Sequence, residues 1–382
     1  MTTIIKNAKI LIEKHNMLKL ENHDIIIKNS RIEGLDTNIK EYQDNIIDIN
    51  GQILLPLFFN IHCHLGESLY KINGKNWNLS KYLKYTSNIV NKMNKIEQNR
   101  AWNDSAEFTV KKLLETGTGG FCAARSADIA KKYNICTMAG YPLMLSKKLE
   151  EYRNAGIEGY AKYFNQKKSP FCSVGIFLHS LYKANNELLQ LASQCFDYNA
   201  DFITVHISED VETRKLEIER FKKLPVFTLN EFGLLTDRTI LIHCGLLSDE
   251  ELSLIKEKNA VIAVCPISNI FLNTKIIDIN NLEKYNIRWC IATDGLATGK
   301  TFSIIEQAMK LKEQFSLISY EKIFRAITTV PAKIFNRDIY SGLIEKNVES
   351  SFIVVHNCAD YSIQIVLEKL FSGELSWEII RI

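Results

Sequence analysis

The sequence lacks the features that would place a chain in a membrane, on a nucleic acid or in an oxidising compartment. No stretch approaches the roughly 18 uninterrupted apolar residues of a spanning helix. Met1–Lys6 opens without the apolar core of a secretory signal. Net charge is only +3 over 382 residues. No basic stripe interleaved with aromatics is present, so neither nucleic acid nor a membrane is an expected partner. The nine cysteines form no CxxC pair, and they read as reduced thiols of a cytoplasmic chain, not a disulfide framework. Cys63, Cys122, Cys244, Cys265 and Cys290 lie in apolar runs and are expected in the core. A GxGxxG phosphate turn is missing, which argues against an open doubly wound sheet. No internal repeat or low-complexity segment is apparent.

Composition is that of a globular protein, 46% hydrophobic and 24% charged, and the length suits one large domain or two. Residues 1–54 read as short strands (3–12, 24–27, 30–34, 46–49) broken by Lys28-Asn29 and Asn50-Gly51. From His64 the texture changes. Apolar runs at 117–124, 135–140, 172–179, 202–206, 239–244, 260–265 and 288–294 alternate with helical patterns such as 101–115, 185–197, 249–258 and 301–315. With the strand that ends at His64, eight strands separated mostly by helices predict an α/β fold, a (β/α)8 TIM-like barrel. Beyond about Arg337 strand-like runs return at 351–356, 362–367 and 376–382. Both chain ends, 1–54 and 338–382, are therefore expected to build one small β domain of sandwich type, with the barrel, 55–337, inserted between them. Two connections exceed ordinary loops. Residues 65–100 carry Tyr70, Trp77, Tyr82 and Tyr85; residues 146–170 carry Tyr152, Tyr160, Tyr163 and Phe164. Each is either a substrate lid or packing against the barrel.

Chemistry is concentrated at strand ends. His62 and His64 close the run Ile53–Phe59, and side chains two apart on a strand point the same way. His179, His206, His243 and Asp294 end four further predicted strands. Of eight histidines, five fall on one rim, leaving His15, His23 and His356 aside. Imidazoles with one carboxylate suit a divalent metal, Zn first and Fe(II) second. Such a metal can bring the pKa of a bound water to about 7. Asp294 can both ligate and accept the water proton. Glu209, three residues after His206, can act as a general acid, or is simply an acid favoured at a helix N-terminus. Arg125, past strand two, can pair with a substrate carboxylate or phosphate, or is a surface arginine.

These pieces together resemble the amidohydrolase superfamily, in its chlorohydrolase and aminohydrolase branch. The matching motifs are His62-Cys63-His64, His206-Ile-Ser-Glu209, His243-Cys244-Gly245-Leu246, Cys265–Leu272 and Thr293–Thr298, in the family's order and across nearly the whole chain. The resemblance implies one metal held by His62, His64, His206 and Asp294, with Glu209 as proton shuttle. It implies that His243 orients the attacking water or the tetrahedral intermediate, that His179 contacts substrate, and that Ser268 and Asn269 are structural neighbours of the site. No lysine ends strand four, so a carbamate-bridged pair of metals is not indicated. Departures from the family pattern are Ala297-Thr298-Gly299, Asn273-Thr274 and Leu65-Gly66-Glu67. They bear on substrate choice, with Glu67 and Arg125 as candidate substrate contacts. The implied activity is hydrolytic deamination of an aminated purine or nucleoside-like heterocycle. Ala292–Leu296 and Ile363–Ile382 are most similar to aminofutalosine deaminases. Alternatives are amidine or ring-amide hydrolysis, chlorohydrolase-type displacement, or a non-catalytic metal-binding scaffold. A small heterocycle is the expected partner, and a homodimer is left open.

Overall fold

The computed structural model describes residues 2–36, 45–70, 77–358 and 360–382. Part of the first long connection, residues 71–76, lies outside them. Eight parallel strands follow one another around a barrel: Phe58–Asn60, Thr118–Ala124, Cys136–Leu143, Cys172–Ser180, Ile203–Ile207, Thr239–His243, Val261–Val264 and Arg288–Ile291. Their residues are apolar almost throughout because both faces are covered. Along strand six, Ile240 and Ile242 join an inner cluster with Phe59, Met138, Phe202 and Phe335. Leu241 instead packs outward among helix residues such as Leu252 and Ile255. The same alternation puts Val261 and Ala263 inside and Ile262 and Val264 outside.

Seven of the barrel's seams are hydrogen-bonded ladders between consecutive strands. The eighth is different. Strand one pauses after Asn60 and resumes as Cys63–His64, which pairs in parallel with Asp294–Gly295. Below that short ladder, Asn60 Nδ2 donates to Thr293 Oγ1 at 2.6 Å, and Thr293 N donates to Asn60 Oδ1 at 3.2 Å. The barrel is thus closed by two buried side chains and by the segment that carries His64 and Asp294.

The chain ends share a seven-stranded sheet in the order Trp377–Arg381, Ser351–Val355, Ile53–Pro56, Thr2–Lys14, Met17–Lys28, Arg31–Leu35, with Asn45–Asp48 alongside Thr2–Lys14. Period-two alternation assigns its faces. Ile53, Leu55, Ile353 and Val355 face the barrel-side core, and Leu54, Phe352 and Val354 face a cluster of their own. The strand expected at 362–367 is instead the start of a helix, Ile363–Ser372. Ser362 accepts from Ile365 N at the helix start, and Gly373, at φ 77°, ends the helix in the left-handed region. Val366, Leu367, Leu370 and Phe371 are buried at helical spacing, so capping and packing override a β-rich local composition.

The two long connections behave differently. From the first, Leu79 and Tyr82 bury against Leu272 and Ala297, with Tyr70, Trp77 and Tyr85 packed on them. It therefore covers the loops that follow strands seven and eight. In the second, Tyr152, Tyr160 and Tyr163 surround Tyr141 edge-on, at ring separations of 5.2 to 5.5 Å, on the outer core. These aromatics are packing. All nine cysteines are buried and free, as their apolar surroundings imply.

Candidate metal centre and active site

Three devices aim side chains into the C-terminal mouth of the barrel. Strand alternation does it for His206, which follows the inner residues Phe202 and Thr204. A left-handed backbone does it for His243 and Asp294, at φ 69° and 59°. Such a conformation is uncommon outside glycine and is stored at sites where the surrounding structure enforces it. The third device is the short closing ladder, which sets His64 and Asp294 on neighbouring strands.

His62, His64, His206 and Asp294 offer ligand atoms that all lie within 4.8 Å of one another. Asp294 Oδ1 is 3.2 Å from His64 Nε2 and 3.5 Å from His62 Nε2, and His64 Nε2 is 3.3 Å from His206 Nε2. The other carboxylate oxygen, Oδ2, accepts from Ser268 Oγ at 2.6 Å and Thr298 Oγ1 at 3.1 Å. His206 Nδ1–H donates to the His179 carbonyl at 2.5 Å, which leaves Nε2 as a lone pair facing the cluster. Both ring nitrogens of His62 are buried without a hydrogen bond.

Electrostatics point the same way. Burial holds the His62 imidazole down at about 4, against the pull of Asp294. It also holds His206 and His179 well below the usual imidazole range, reinforced by neighbouring rings and, at His179, first by Lys183. Burial would also lower His64, but Glu67, Asp294 and Glu209 outweigh it and lift that ring to about 9. Asp294 would be raised by burial, yet His62 and His64 hold it well below the usual carboxylate range. Glu209 is pushed well above that range, by burial first and then by the charges of Asp294 and Asp210. Asp294 and Glu67 thus place negative charge beside a buried ring of imidazoles. That charge, with the His206 lone pair facing inward, fits a divalent cation.

Glu209 lies 3.6 Å from His243 through Oε1 and Nε2, beside the cluster. The His179 ring stacks on His206 at 5.0 Å and stands 6.2 Å from the His64 ring. Glu67 fits against Gly295, where a Cβ would come within 1.8 Å of Glu67 Oε2, so only glycine lets this acid sit beside the ladder. Arg125 takes a left-handed backbone, φ 57°, and lays its guanidinium 4.3 Å over the Trp102 ring. The structure therefore gathers His62, His64, His206, Asp294, Glu209, His243 and His179 at one mouth, with Glu67 at its edge. It gives Arg125 a stacking contact on Trp102 of helix Lys95–Glu115. Sequence reasoning assigned no role to the Asn60–Thr293 pair, nor to the charged residues behind Glu209 described below. Nothing in the local pattern marks either set.

A closed parallel barrel with three histidines and an aspartate converging at its C-terminal mouth is the architecture of a metal-dependent hydrolase. The chain belongs to the amidohydrolase family, whose model matches residues 53–374. It is 24% identical over 371 residues to the 5-methylthioadenosine/S-adenosylhomocysteine deaminase of Thermococcus sibiricus, covering 93% of this chain and 85% of that protein. It is 26% identical to the corresponding deaminase 1 of Archaeoglobus fulgidus, covering 94% and 85%. Its fold is shared with a zinc-bound adenosine deaminase from Xanthomonas campestris (TM-score 0.83, 19% identity, 97% of this chain and 88% of that one). It is shared too with guanine deaminase from C. acetobutylicum (TM-score 0.82, 19% identity, 98% and 96%).

Proposed function

We propose that the protein is a zinc-dependent aminohydrolase that releases ammonia from an aminated purine or its nucleoside. The observation that supports this reading most is a buried Glu209 set 3.6 Å from His243, beside the His62, His64, His206 and Asp294 cluster. In this reading those four residues hold the metal. Such an ion supplies a Lewis acid that acidifies water towards neutral pH. Asp294, with Oδ2 fixed by Ser268 and Thr298, keeps Oδ1 available both to the metal and to the water's proton. Burial disfavours the charge of Glu209 and so favours its protonated form. Glu209 gives its proton to the ring nitrogen beside the amine-bearing carbon as the water oxygen bonds to that carbon. The proton taken by Asp294 then passes to the amine, and the C–N bond breaks to release ammonia. The proton of the added hydroxyl returns to Glu209 as the carbonyl forms. His243 orients the oxygen that attacks this carbon. His179 and Glu67 meet the heterocycle at the rim, and Arg125 meets an anionic substituent. The named relatives deaminate adenosine derivatives, which supports an adenine-like substrate.

The test is a zinc-loaded preparation screened for ammonia release from adenosine, 5-methylthioadenosine, S-adenosylhomocysteine, 5′-deoxyadenosine, aminofutalosine, guanine and cytosine. Ammonia is expected from at least one aminopurine. Ring opening without ammonia would move the protein to amidine or ring-amide hydrolysis. Bound metal without turnover of any substrate would favour a scaffold. Glu209→Gln should retain metal and lose roughly 10²- to 10⁴-fold in kcat, the usual contribution of a general acid. Full activity in that variant would remove Glu209 from its role.

A further inference from the structure

Behind Glu209 lies a buried charged network that the proposed chemistry does not use. The chain turns after strand five at Ser208, which is fully buried and left-handed at φ 49°. An L-residue keeps such a conformation only where its surroundings impose it. Here the N–H and the hydroxyl of Ser208 are held from the next helix, Val211–Phe221. Ser208 N donates to Glu217 Oε2 at 3.0 Å, and Arg214 donates to Ser208 Oγ at 2.7 Å. Glu217 and Glu251 are essentially inaccessible, at 1% and 0% exposure.

The network also crosses to the next strand's loop. Arg214 donates to Glu251 at 2.6 Å, on helix Asp249–Glu257. Glu251 in turn accepts from Ser248 N at 3.0 Å, within that helix's capping box, in the loop that follows His243. The turn that carries Glu209 and the loop that follows His243 are thus tied to one guanidinium. Asp210 fixes the other side of Glu209 by capping Val211–Phe221, accepting from Thr213 N at 2.7 Å.

We infer that Glu217, Arg214 and Glu251 form a brace that holds the strained Ser208 turn, and so sets Glu209 against His243. They are positioning residues, and the inference rests on the reading of Glu209 as proton shuttle. Glu217 needs only to present an acceptor oxygen at that depth.

The experiment measures kcat, KM and bound metal on whichever aminopurine turns over, in Glu217→Ala, Glu217→Asp, Glu217→Gln and Glu209→Gln. Glu217→Ala and Glu217→Asp should lose about 10- to 100-fold in kcat, the usual size of an outer-sphere effect. KM and metal content should stay within about twofold, since neither metal ligands nor the rim are touched. Glu217→Gln, which keeps an oxygen for Ser208 N–H, should restore most of kcat. Glu217→Asp keeps the carboxyl group and guards against a failure of the alanine variant to fold. Wild-type kcat in Glu217→Asp would overturn the brace, as would a loss that follows metal content or one that Glu217→Gln fails to rescue. An active Glu209→Gln would overturn the shuttle reading, and the brace with it. An inactive Glu209→Gln beside a fully active Glu217→Asp would overturn the brace alone.

Discussion

Glu217 shows at the scale of one residue how a buried acid serves geometry at a cost in stability. Burial pushes its carboxyl up to about 8, only partly opposed by the Ser208 N–H and Arg214. In the unfolded chain the same group titrates near the ordinary glutamate value of 4.5. Between those two values the folded chain binds a proton that the unfolded chain has released. The unfolded state therefore binds fewer protons, and this group's contribution to stability falls as pH rises, reaching its full penalty above about 8. Glutamine keeps the acceptor oxygen and removes the ionisation. Glu217→Gln should therefore melt near wild type at about pH 5 and progressively higher than wild type towards about pH 9. Thermal melts across that range check it. A constant offset at every pH would show that ionisation of Glu217 is not what sets the difference. Arg214 cannot be exchanged on the same logic, because its removal leaves Glu251 buried without its cation.

Elements were legible in the sequence where one periodicity dominated, and opaque where partners were distant. The eight barrel strands could be read because strands buried on both faces are apolar runs of limited length. The ligand set could be read because histidines that end such runs are chemically conspicuous. Glu217 and Arg214 could not, since on a surface-type helix they look like any solvated charges, and Arg214's partner Glu251 is 37 residues away. Helix Ile363–Ser372 was misread because Ile363, Ile365 and Val366 carry strand propensity, while Ser362 and Gly373 mark the ends of a helix. The closing seam was hidden for the same reason as the brace, since Asn60 and Thr293 stand 233 residues apart. That seam carries a prediction at this scale. Asn60→Ala removes both hydrogen bonds and leaves the Thr293 N–H buried and unpaired, a cost of about 1–3 kcal/mol. A lower Tm is expected together with weaker metal binding, because Thr293 sets the backbone from which Asp294 departs. Metal titration beside a melting curve checks both. A lower Tm with metal affinity unchanged would confine the pair to stability.

The whole molecule is organised so that one seam of the barrel is also the metal centre. Seven seams are ladders, while the eighth is two residues of ladder, one side-chain pair and the ligands His62, His64 and Asp294. Without a cation those groups crowd imidazoles and carboxylates in a buried space, and His64 answers part of the charge by holding a proton. A bound divalent ion would draw strands one, five and eight together through their own side chains, and would stabilise only the folded state, by RT ln(1 + [L]/Kd). Chelation should therefore lower Tm and should loosen the protein unevenly. Amide exchange is expected to rise most at 58–64 and 292–296. It should rise less at 137–142 and 172–176, which lie in a ladder of seven residue pairs between strands three and four, neither of which forms the seam. Readdition of zinc should restore both the Tm and the protection. Uniform exchange around the barrel after chelation would show that strand pairing closes the barrel without help from the ion, and would reduce the metal's part to chemistry alone.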